Sequence, residues 1–337
     1  METEHQKKVK KLFDSKFVIA LIKKYAPDFA LKNNLSNLTI TPIKKNIGLK
    51  SHHVVIRYDS DSIKDKPIFC SSNSKENREN AYKALEFVNK NGFKNTDIFL
   101  PKPILFEKEL NAFFYQGIDG ENLLYYISKN TDLTNYIEQT ANWIAVLHST
   151  PTKGAEKLNQ ENSRIKTVVP GPEKFLKKIE KNFPSHFKSV KQNFDALVKW
   201  EEQNLKNLEN ICLIHGDFHP ENVIINKTDG KISAIDFTDI CLADYTRDIG
   251  NFLQQFKFMS LGRREKEETE KYQTLFLEKY LKIRSIKKTK EIEKRINAYI
   301  AWTALRSAIY FLVKSHPEPE NATQVLKECK TIIEQNI

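Results

Sequence analysis

Residues 211–237 constrain the fold of this chain more than any other segment. An apolar run ends there in a short loop that contains His215, Gly216, Asp217 and His219. Two short apolar runs follow, separated by the pair Asp229-Gly230. Because glycine tolerates the positive φ that a tight turn requires, Asp-Gly between two such runs predicts a β-hairpin. This hairpin would carry Asn222 at one base and Asp236 at the other, side by side, with Asp217 on the loop that leads into it.

Those three side chains suit the transfer of a phosphoryl group. A hydroxyl that attacks phosphorus needs a fixed acceptor for its proton, and the Asp217 carboxylate can supply one. The charge of a polyphosphate needs hard cations, and Mg²⁺ prefers oxygen ligands such as the Asn222 amide and the Asp236 carboxylate. An Asp, an Asn five residues later and a downstream Asp-Phe follow the order of a kinase catalytic loop.

A transition-metal site is the alternative interpretation of the same loop. His215, Asp217 and His219 alternate along the chain, so on a strand they would share one face and could bind zinc or iron, as in a hydrolase. However, the glycine and the proline of this loop disfavour a regular strand. A hydrolase would also leave the Asn/Asp pair of the hairpin without a role.

The residue pattern of this segment resembles the motif of the aminoglycoside phosphotransferase and choline kinase superfamily. The pattern His-Gly-Asp-x-His-x-x-Asn begins at His215, and Ile-Asp-Phe follows at 235–237. The resemblance implies an α+β, bilobal protein-kinase-like fold, with a small antiparallel-sheet N-lobe and a larger, mostly helical C-lobe. It also implies that Asp217 is the catalytic base, that Asn222 and Asp236 bind Mg²⁺, and that His215 is a buried brace for the loop.

Three segments are expected along the chain. Residues 1–36 have a helical pattern, and residues 37–116 would form the N-lobe from three strands, a helix and two strands. Residues 117–337 would form the C-lobe, with the catalytic loop, the metal site and the acceptor pocket. Within it, the stretch from about 173 to 209 has the pattern of two helices, which resemble the family's insertion before the catalytic loop.

The nucleotide is expected where the N-lobe ends. A strand at 112–115 runs into a short turn that contains glycine, which resembles the hinge of the family. The backbone near Tyr115 to Gly117 would then meet the adenine edge of the nucleotide.

A phosphate-binding lysine is missing from its expected place on the third strand. The family carries a lysine there, paired with a glutamate of the next helix, whereas this chain has Ser71 or Ser72 near that point. Lys66, just before the strand, and Arg57, on the preceding strand, are candidates to replace it. Further candidates for the cation and its glutamate partner are Lys44, Lys45, Lys50, Glu76 and Glu79.

Two other polar residues are expected to be structural. His148 ends an amphipathic helix, where a histidine is more often a buried hydrogen-bonding group than a catalyst. Asp248 precedes an apolar helical pattern and resembles the family aspartate that braces the catalytic loop.

Composition sets limits on partners and location. The formal charge is +11, but the basic clusters are interleaved with glutamate and no nucleic-acid-binding motif accompanies them, so no nucleic-acid partner is expected. No run of 18 apolar residues predicts a membrane span, and the N-terminus does not resemble a signal peptide. The four cysteines lack Cys-x-x-Cys spacing, which favours reduced thiols and a cytoplasmic protein. The chain would be a monomer or a homodimer.

The sequence therefore predicts a Mg²⁺-dependent phosphotransferase that moves the γ-phosphoryl group of ATP or GTP to a hydroxyl of a small molecule. Aminoglycosides, amino sugars, choline and ethanolamine are acceptors within the family that it resembles. Few residues separate Asp236 from the Asp244–Asp248 segment, so the activation-loop apparatus of protein kinases is not evident and a small acceptor is favoured. A catalytically inactive, nucleotide-binding module of the same fold is the alternative.

Overall fold

A five-stranded antiparallel sheet forms the centre of the first of two units into which the chain divides. The first unit consists of Met1–Asn122 and Val223–Thr238, and the second of Leu123–Asn222 and Asp239–Ile337. The computed structural model describes residues 2–63, 66–94, 98–168, 171–204 and 211–336.

The described strands and helices are as follows. The strands are β1 (Thr39–Ile47), β2 (His52–Asp59), β3 (Ile68–Asn73), β4 (Lys102–Glu107), β5 (Ala112–Gln116), β6 (Gly120–Asn122), β7 (Ile211–Ile214), β8 (Val223–Asn226), β9 (Ile232–Ala234) and β10 (Cys241–Asp244). The helices are α1 (Glu4–Lys10), α2 (Ser15–Tyr25), α3 (Pro27–Lys32), α4 (Arg78–Asn91), α5 (Leu123–Ser128), α6 (Thr134–His148), α7 (Pro172–Asn182), α8 (Pro184–Asn204), α9 (Thr246–Ser260), α10 (Lys266–Ile283), α11 (Lys290–Val313) and α12 (Pro319–Asn336).

The large sheet has the strand order β1-β2-β3-β5-β4. Its two faces differ because side chains alternate along a strand, and β2 shows this in its strict alternation of buried and half-buried residues. Val54, Ile56 and Tyr58 point into a core that also contains Leu12 of the N-terminal helical segment. The Tyr58 hydroxyl donates a hydrogen bond to the Leu12 carbonyl at 2.7 Å, which ties this segment to the sheet. The opposite face of β2 carries His53, Val55 and Arg57.

The predicted order of three strands, a helix and two strands in this unit is confirmed. The predicted hairpin is confirmed as well, because β8 pairs with β9 in antiparallel register with Val223 opposite Ala234. Gly230 in its turn has φ +68°, as the Asp-Gly signal requires. Asn222 immediately precedes β8, and Asp236 follows β9 by two residues.

The predicted segment boundaries stay a prediction, and the two units group the residues as follows. The helices within residues 1–36 belong to the first unit. The first unit also extends past residue 116 and includes the hairpin, because β6 pairs with β8 and joins the hairpin into a three-stranded sheet, β6-β8-β9. These short pairings are non-local, and the sequence pattern does not reveal them.

The second unit is mostly helical. The predicted pair of helices before the catalytic loop corresponds to α7 and α8, and Phe175 and Phe194 of this pair are buried in one cluster with Trp302 of α11 and Val325 of α12. Residues 205–210, at the end of the predicted second helix, lie outside the described residues. Helix α11 is long and apolar enough to cross a membrane by length and composition alone, but 67% of its 18-residue apolar stretch is buried inside the protein, as in a core helix.

Candidate active site

The loop after β7 is held by a buried aspartate of α9. Asp248 accepts hydrogen bonds from the backbone N–H of His215 at 2.6 Å and of Gly216 at 2.9 Å. Its Oδ2 atom also lies 3.0 Å from Nε2 of His148, whose Nδ1 is 2.7 Å from the Tyr280 hydroxyl. The predicted structural roles of Asp248 and His148 are therefore confirmed. His215 itself is fully buried, as predicted for a brace.

Gly216 allows the chain to pass close to a neighbouring backbone. Its φ is +83°, and a Cβ atom at this position would lie 2.4 Å from the Asp239 carbonyl oxygen. On the other side of the loop, the Asn251 amide of α9 donates to the Phe218 carbonyl at 3.0 Å. Both contacts fix the backbone on either side of Asp217.

Replacing Gly216 with alanine should therefore destabilise the protein by roughly 2–3 kcal/mol, since the side chain adds a backbone clash to an unfavourable φ. Gly262→Ala is the matched control, because Gly262 has φ +70° but nothing within 4 Å of an added Cβ. The control should lose only about 1 kcal/mol. Urea unfolding of both variants measures the difference, and equal losses would contradict the close approach.

Asp217 is surrounded by groups that favour its ionised form. Its Oδ2 atom lies 3.4 Å from His219 Nε2, and its Oδ1 atom lies 3.7 Å from Nη1 of Arg306 in α11. Burial works in the opposite direction, but the His219 ring and the Arg306 guanidinium outweigh it and hold the pKa of Asp217 below its ordinary value. Asp217 is therefore a carboxylate at neutral pH, and its side chain is 35% exposed.

The two predicted metal ligands offer oxygen atoms. Asn222 is buried, and its amide nitrogen donates to the Asp217 carbonyl at 2.9 Å, so its amide oxygen is the atom left to face a cation. Asp236 adopts φ +61°, which is uncommon for a residue other than glycine and often marks a functional position. Its side chain is 46% exposed and accepts a hydrogen bond from the Thr238 hydroxyl at 2.6 Å.

An amide oxygen and a carboxylate are the hard donors that Mg²⁺ takes when phosphate oxygens complete its coordination. The residues fit this ion. In contrast, no group of three or more His, Cys, Asp or Glu side chains in the described residues could hold a metal ion. The zinc or iron alternative therefore has no cluster to support it in that part of the chain.

A cavity of about 100 Å³ lies in the first unit beside Asp236. Residues from the sheet, from α4 and from the end of the hairpin line it, and they include His53, Ser71, Arg78, Tyr115 and Asp236. Burial, with a smaller contribution from the charges of Lys44 and Arg78, lowers the pKa of His53 to about 4, so this histidine is neutral at pH 7.

The predicted hinge residues lie at and beside this cavity. Tyr115 lines it, and its ring stacks on Phe69 with the ring centroids 5.6 Å apart. The Gly117 N–H donates to the Pro67 carbonyl at 3.0 Å, and a Cβ atom at Gly117 would lie 2.7 Å from the Phe69 ring. Glycine therefore lets the chain turn closely past Phe69.

The structure does not bring the predicted phosphate-binding cations into this cavity. Lys66 is exposed and its Nζ atom lies 6.0 Å from the centre of the Phe99 ring. Arg57 is held by two carboxylates, with Nη2 2.7 Å from Asp59 and Nη1 2.5 Å from Asp119. Neither residue lines the cavity, and the nucleotide-binding role of Lys66 stays a prediction.

The two candidate glutamates differ in their partners. Glu76 pairs with Arg78 at 2.7 Å, whereas Glu79 pairs with Lys83 on the surface of α4 at 2.8 Å.

Three polar residues of these surroundings were missed by the sequence analysis. Arg78 and Arg306 contact carboxylates far away in the sequence, and nothing in their local pattern distinguishes them from solvated surface arginines. The sequence could have indicated Asn251, because it follows Asp248 by three residues and therefore lies on the same side of the helix.

A family model matches the part of the chain that contains Asp217, Asn222 and Asp236. The model of the Phosphotransferase enzyme family (APH) matches residues 64–280. A search of curated proteins finds no match.

Solved structures show the same fold at low sequence identity. A choline kinase from Cryptosporidium parvum has a TM-score of 0.62 at 15% identity, covering 95% of this chain and 95% of that chain. An ethanolamine kinase from Plasmodium vivax has a TM-score of 0.61 at 17% identity, covering 95% and 90%. A spectinomycin phosphotransferase in complex with ADP and spectinomycin has a TM-score of 0.57 at 15% identity, covering 96% and 98%. These likenesses identify a protein-kinase-like α+β fold.

Proposed function

The chain belongs to the Phosphotransferase enzyme family, and we propose that it transfers the γ-phosphoryl group of ATP or GTP to a hydroxyl of a small molecule in a Mg²⁺-dependent reaction. The observation that carries the proposal is Asp217, an ionised carboxylate on a loop whose backbone is fixed by Asp248 and Asn251. A carboxylate that is fixed and ionised meets the two requirements of a general base.

Each residue has a distinct role in the proposed reaction. Asp217 orients the acceptor hydroxyl and takes its proton as the phosphoryl group leaves the nucleotide. His219 and Arg306 keep this carboxylate ionised before the reaction. Asn222 and Asp236 would hold Mg²⁺, which, when bound, neutralises the charge of the phosphate groups.

Arg306 lies 3.7 Å from Oδ1 of Asp217 and 4.0 Å from a carboxylate oxygen of Asp239, so two carboxylates balance its charge. The proposed acceptor is therefore the broad class of small hydroxyl compounds, which includes aminoglycosides, amino sugars, choline and ethanolamine. The expected context is a cytoplasmic monomer or homodimer without nucleic-acid or membrane partners.

An assay of nucleoside diphosphate release tests this function. The purified chain is incubated with Mg²⁺ and ATP or GTP against a panel of amino sugars, aminoglycosides, neutral sugars, hydroxy acids, choline and ethanolamine. We expect Mg²⁺-dependent release with at least one acceptor, and none with EDTA.

Two other outcomes would contradict the proposal. If the chain binds nucleotide but does not consume it with any acceptor of the panel, the inactive binding module is favoured. Stoichiometric zinc or iron by elemental analysis would favour a hydrolase.

A further inference from the structure

The cation that would bind the nucleotide's phosphates is absent from β3. Ser71 lines the cavity beside Asp236. Ser72 points to the opposite face, where its hydroxyl lies 2.7 Å from His52 Nε2 and donates to the Leu110 carbonyl at 2.6 Å. Neither serine carries a charge, so another residue must balance the phosphates if a nucleotide binds here.

Arg78 is the one lysine or arginine among the described residues that line the cavity. It is the first residue of α4, and its position is fixed because its backbone N–H donates to the Asn111 side chain at 3.1 Å. Its side chain is only 4% exposed. The helix therefore delivers a buried, permanently charged group to the place where the strand has a serine.

The contacts of the Arg78 guanidinium leave hydrogen-bonding capacity for an anion. Nη2 pairs with Glu76 at 2.7 Å, and Nη1 donates to the Thr238 hydroxyl at 2.7 Å. Its contact with Asp236 is long, 3.3 Å, and its Nε atom is buried with no hydrogen-bond partner. A buried donor without an acceptor is costly, whereas a phosphate oxygen accepts strongly from guanidinium N–H groups.

We propose that Arg78 binds the phosphate groups of the nucleotide, in place of the lysine that the family carries on its third strand. This inference rests on the proposed function, since it assigns a residue to the same nucleotide site. The pairing with Glu76 and Thr238 holds the guanidinium in place before the nucleotide binds, which reduces the entropy lost on binding.

Binding measurements with nucleotides of different phosphate content test the proposal without any turnover. The dissociation constants of ATP, ADP and adenosine are measured with Mg²⁺ on the wild type and on Arg78→Met, with GTP, GDP and guanosine in parallel. We expect Arg78→Met to weaken binding of the nucleotides more than tenfold, because it removes charge-assisted hydrogen bonds to phosphate. Nucleoside binding should change by less than about twofold.

Control variants separate phosphate binding from a structural role. Arg57→Met removes an arginine from the same sheet face outside the cavity, and it should leave the difference between ADP and adenosine affinity unchanged. Arg78→Lys should retain part of the lost ADP affinity. Ser71→Lys in the Arg78→Met background should restore part of it, because it returns a cation to the strand. Arg78→Lys also serves if Arg78→Met does not fold.

The outcomes are distinguishable. Equal weakening of ADP and adenosine would show that Arg78 only braces the fold, and ATP binding within twofold of the wild type in Arg78→Met would likewise overturn the assignment. In both cases the proposed function stands. A wild-type chain that binds neither ATP nor GTP would overturn the proposed function and this inference together.

Discussion

Phosphoryl transfer by the Asp217→Asn variant is expected to be about 10²–10⁴-fold slower than that of the wild type, with the fold and the affinity for Mg-nucleotide largely retained. Asparagine has nearly the same shape as aspartate, so the contacts with His219 and Arg306 can persist in part. Its amide cannot accept the proton of the acceptor hydroxyl. Steady-state kcat and the nucleotide dissociation constant, measured on the same preparation, separate these two effects.

Asp239→Asn is the matched control for the loss of charge. Asp239 is exposed to a similar degree, 31%, and one of its carboxylate oxygens also lies 4.0 Å from Arg306. If Asp217 acts as the base, the Asp239 variant should keep kcat within a few-fold of the wild type. A rate for Asp217→Asn within tenfold of the wild type would contradict the assignment. Equal losses in both variants would point to the electrostatics of Arg306 instead.

The structure of the hairpin that follows Asp217 could be predicted from sequence because its requirements are local. Asp217 and Asn222 lie in one loop, and the hairpin that follows is specified by two apolar runs and the Asp229-Gly230 turn. Each of these features is decided by residues only a few positions apart. The same is true of Asp248, whose place near the start of an apolar helix indicates a structural role before its partners are known.

The cations around the site could not be predicted, because their contacts depend on tertiary packing. Arg78 contacts Asp236, and Arg306 contacts Asp217, across long stretches of sequence. The sequence indicates that a lysine is missing near Ser71, and it offers candidates to replace it on the neighbouring strands and loop. Nothing in the local sequence adds Arg78 to these candidates, because its place beside the cavity depends on the packing of α4 against the sheet.

The Asp248→Ala variant is expected to lose about 3–5 kcal/mol of stability, because removing one member of a buried, hydrogen-bonded network leaves its partners unsatisfied. Three groups lose their acceptor: the backbone N–H of His215, the backbone N–H of Gly216 and the His148 ring. The midpoint of urea unfolding measures the effect. Asp195→Ala is the control, since Asp195 is 56% exposed and pairs with Lys191 on the surface of α8. It should lose less than about 1 kcal/mol.

The pH dependence of the stability of the wild type and of Asp248→Ala gives an independent check. Burial lowers the pKa of His148 below its ordinary 6.5. Burial opposes ionisation of Asp248, but hydrogen bonds from His148 and the backbone outweigh it and lower its pKa below the ordinary 3.8. Both groups bind protons more weakly in the folded state, so their stabilising contributions are present at neutral pH and are lost as the pH falls. The contribution of His148 declines below about pH 6.5, and that of Asp248 only below about pH 4.

The stability difference between the wild type and Asp248→Ala should therefore persist from pH 7 to pH 5 and narrow at lower pH. A difference that vanishes already at pH 5 would show that Asp248 is not the ionised acceptor of the loop.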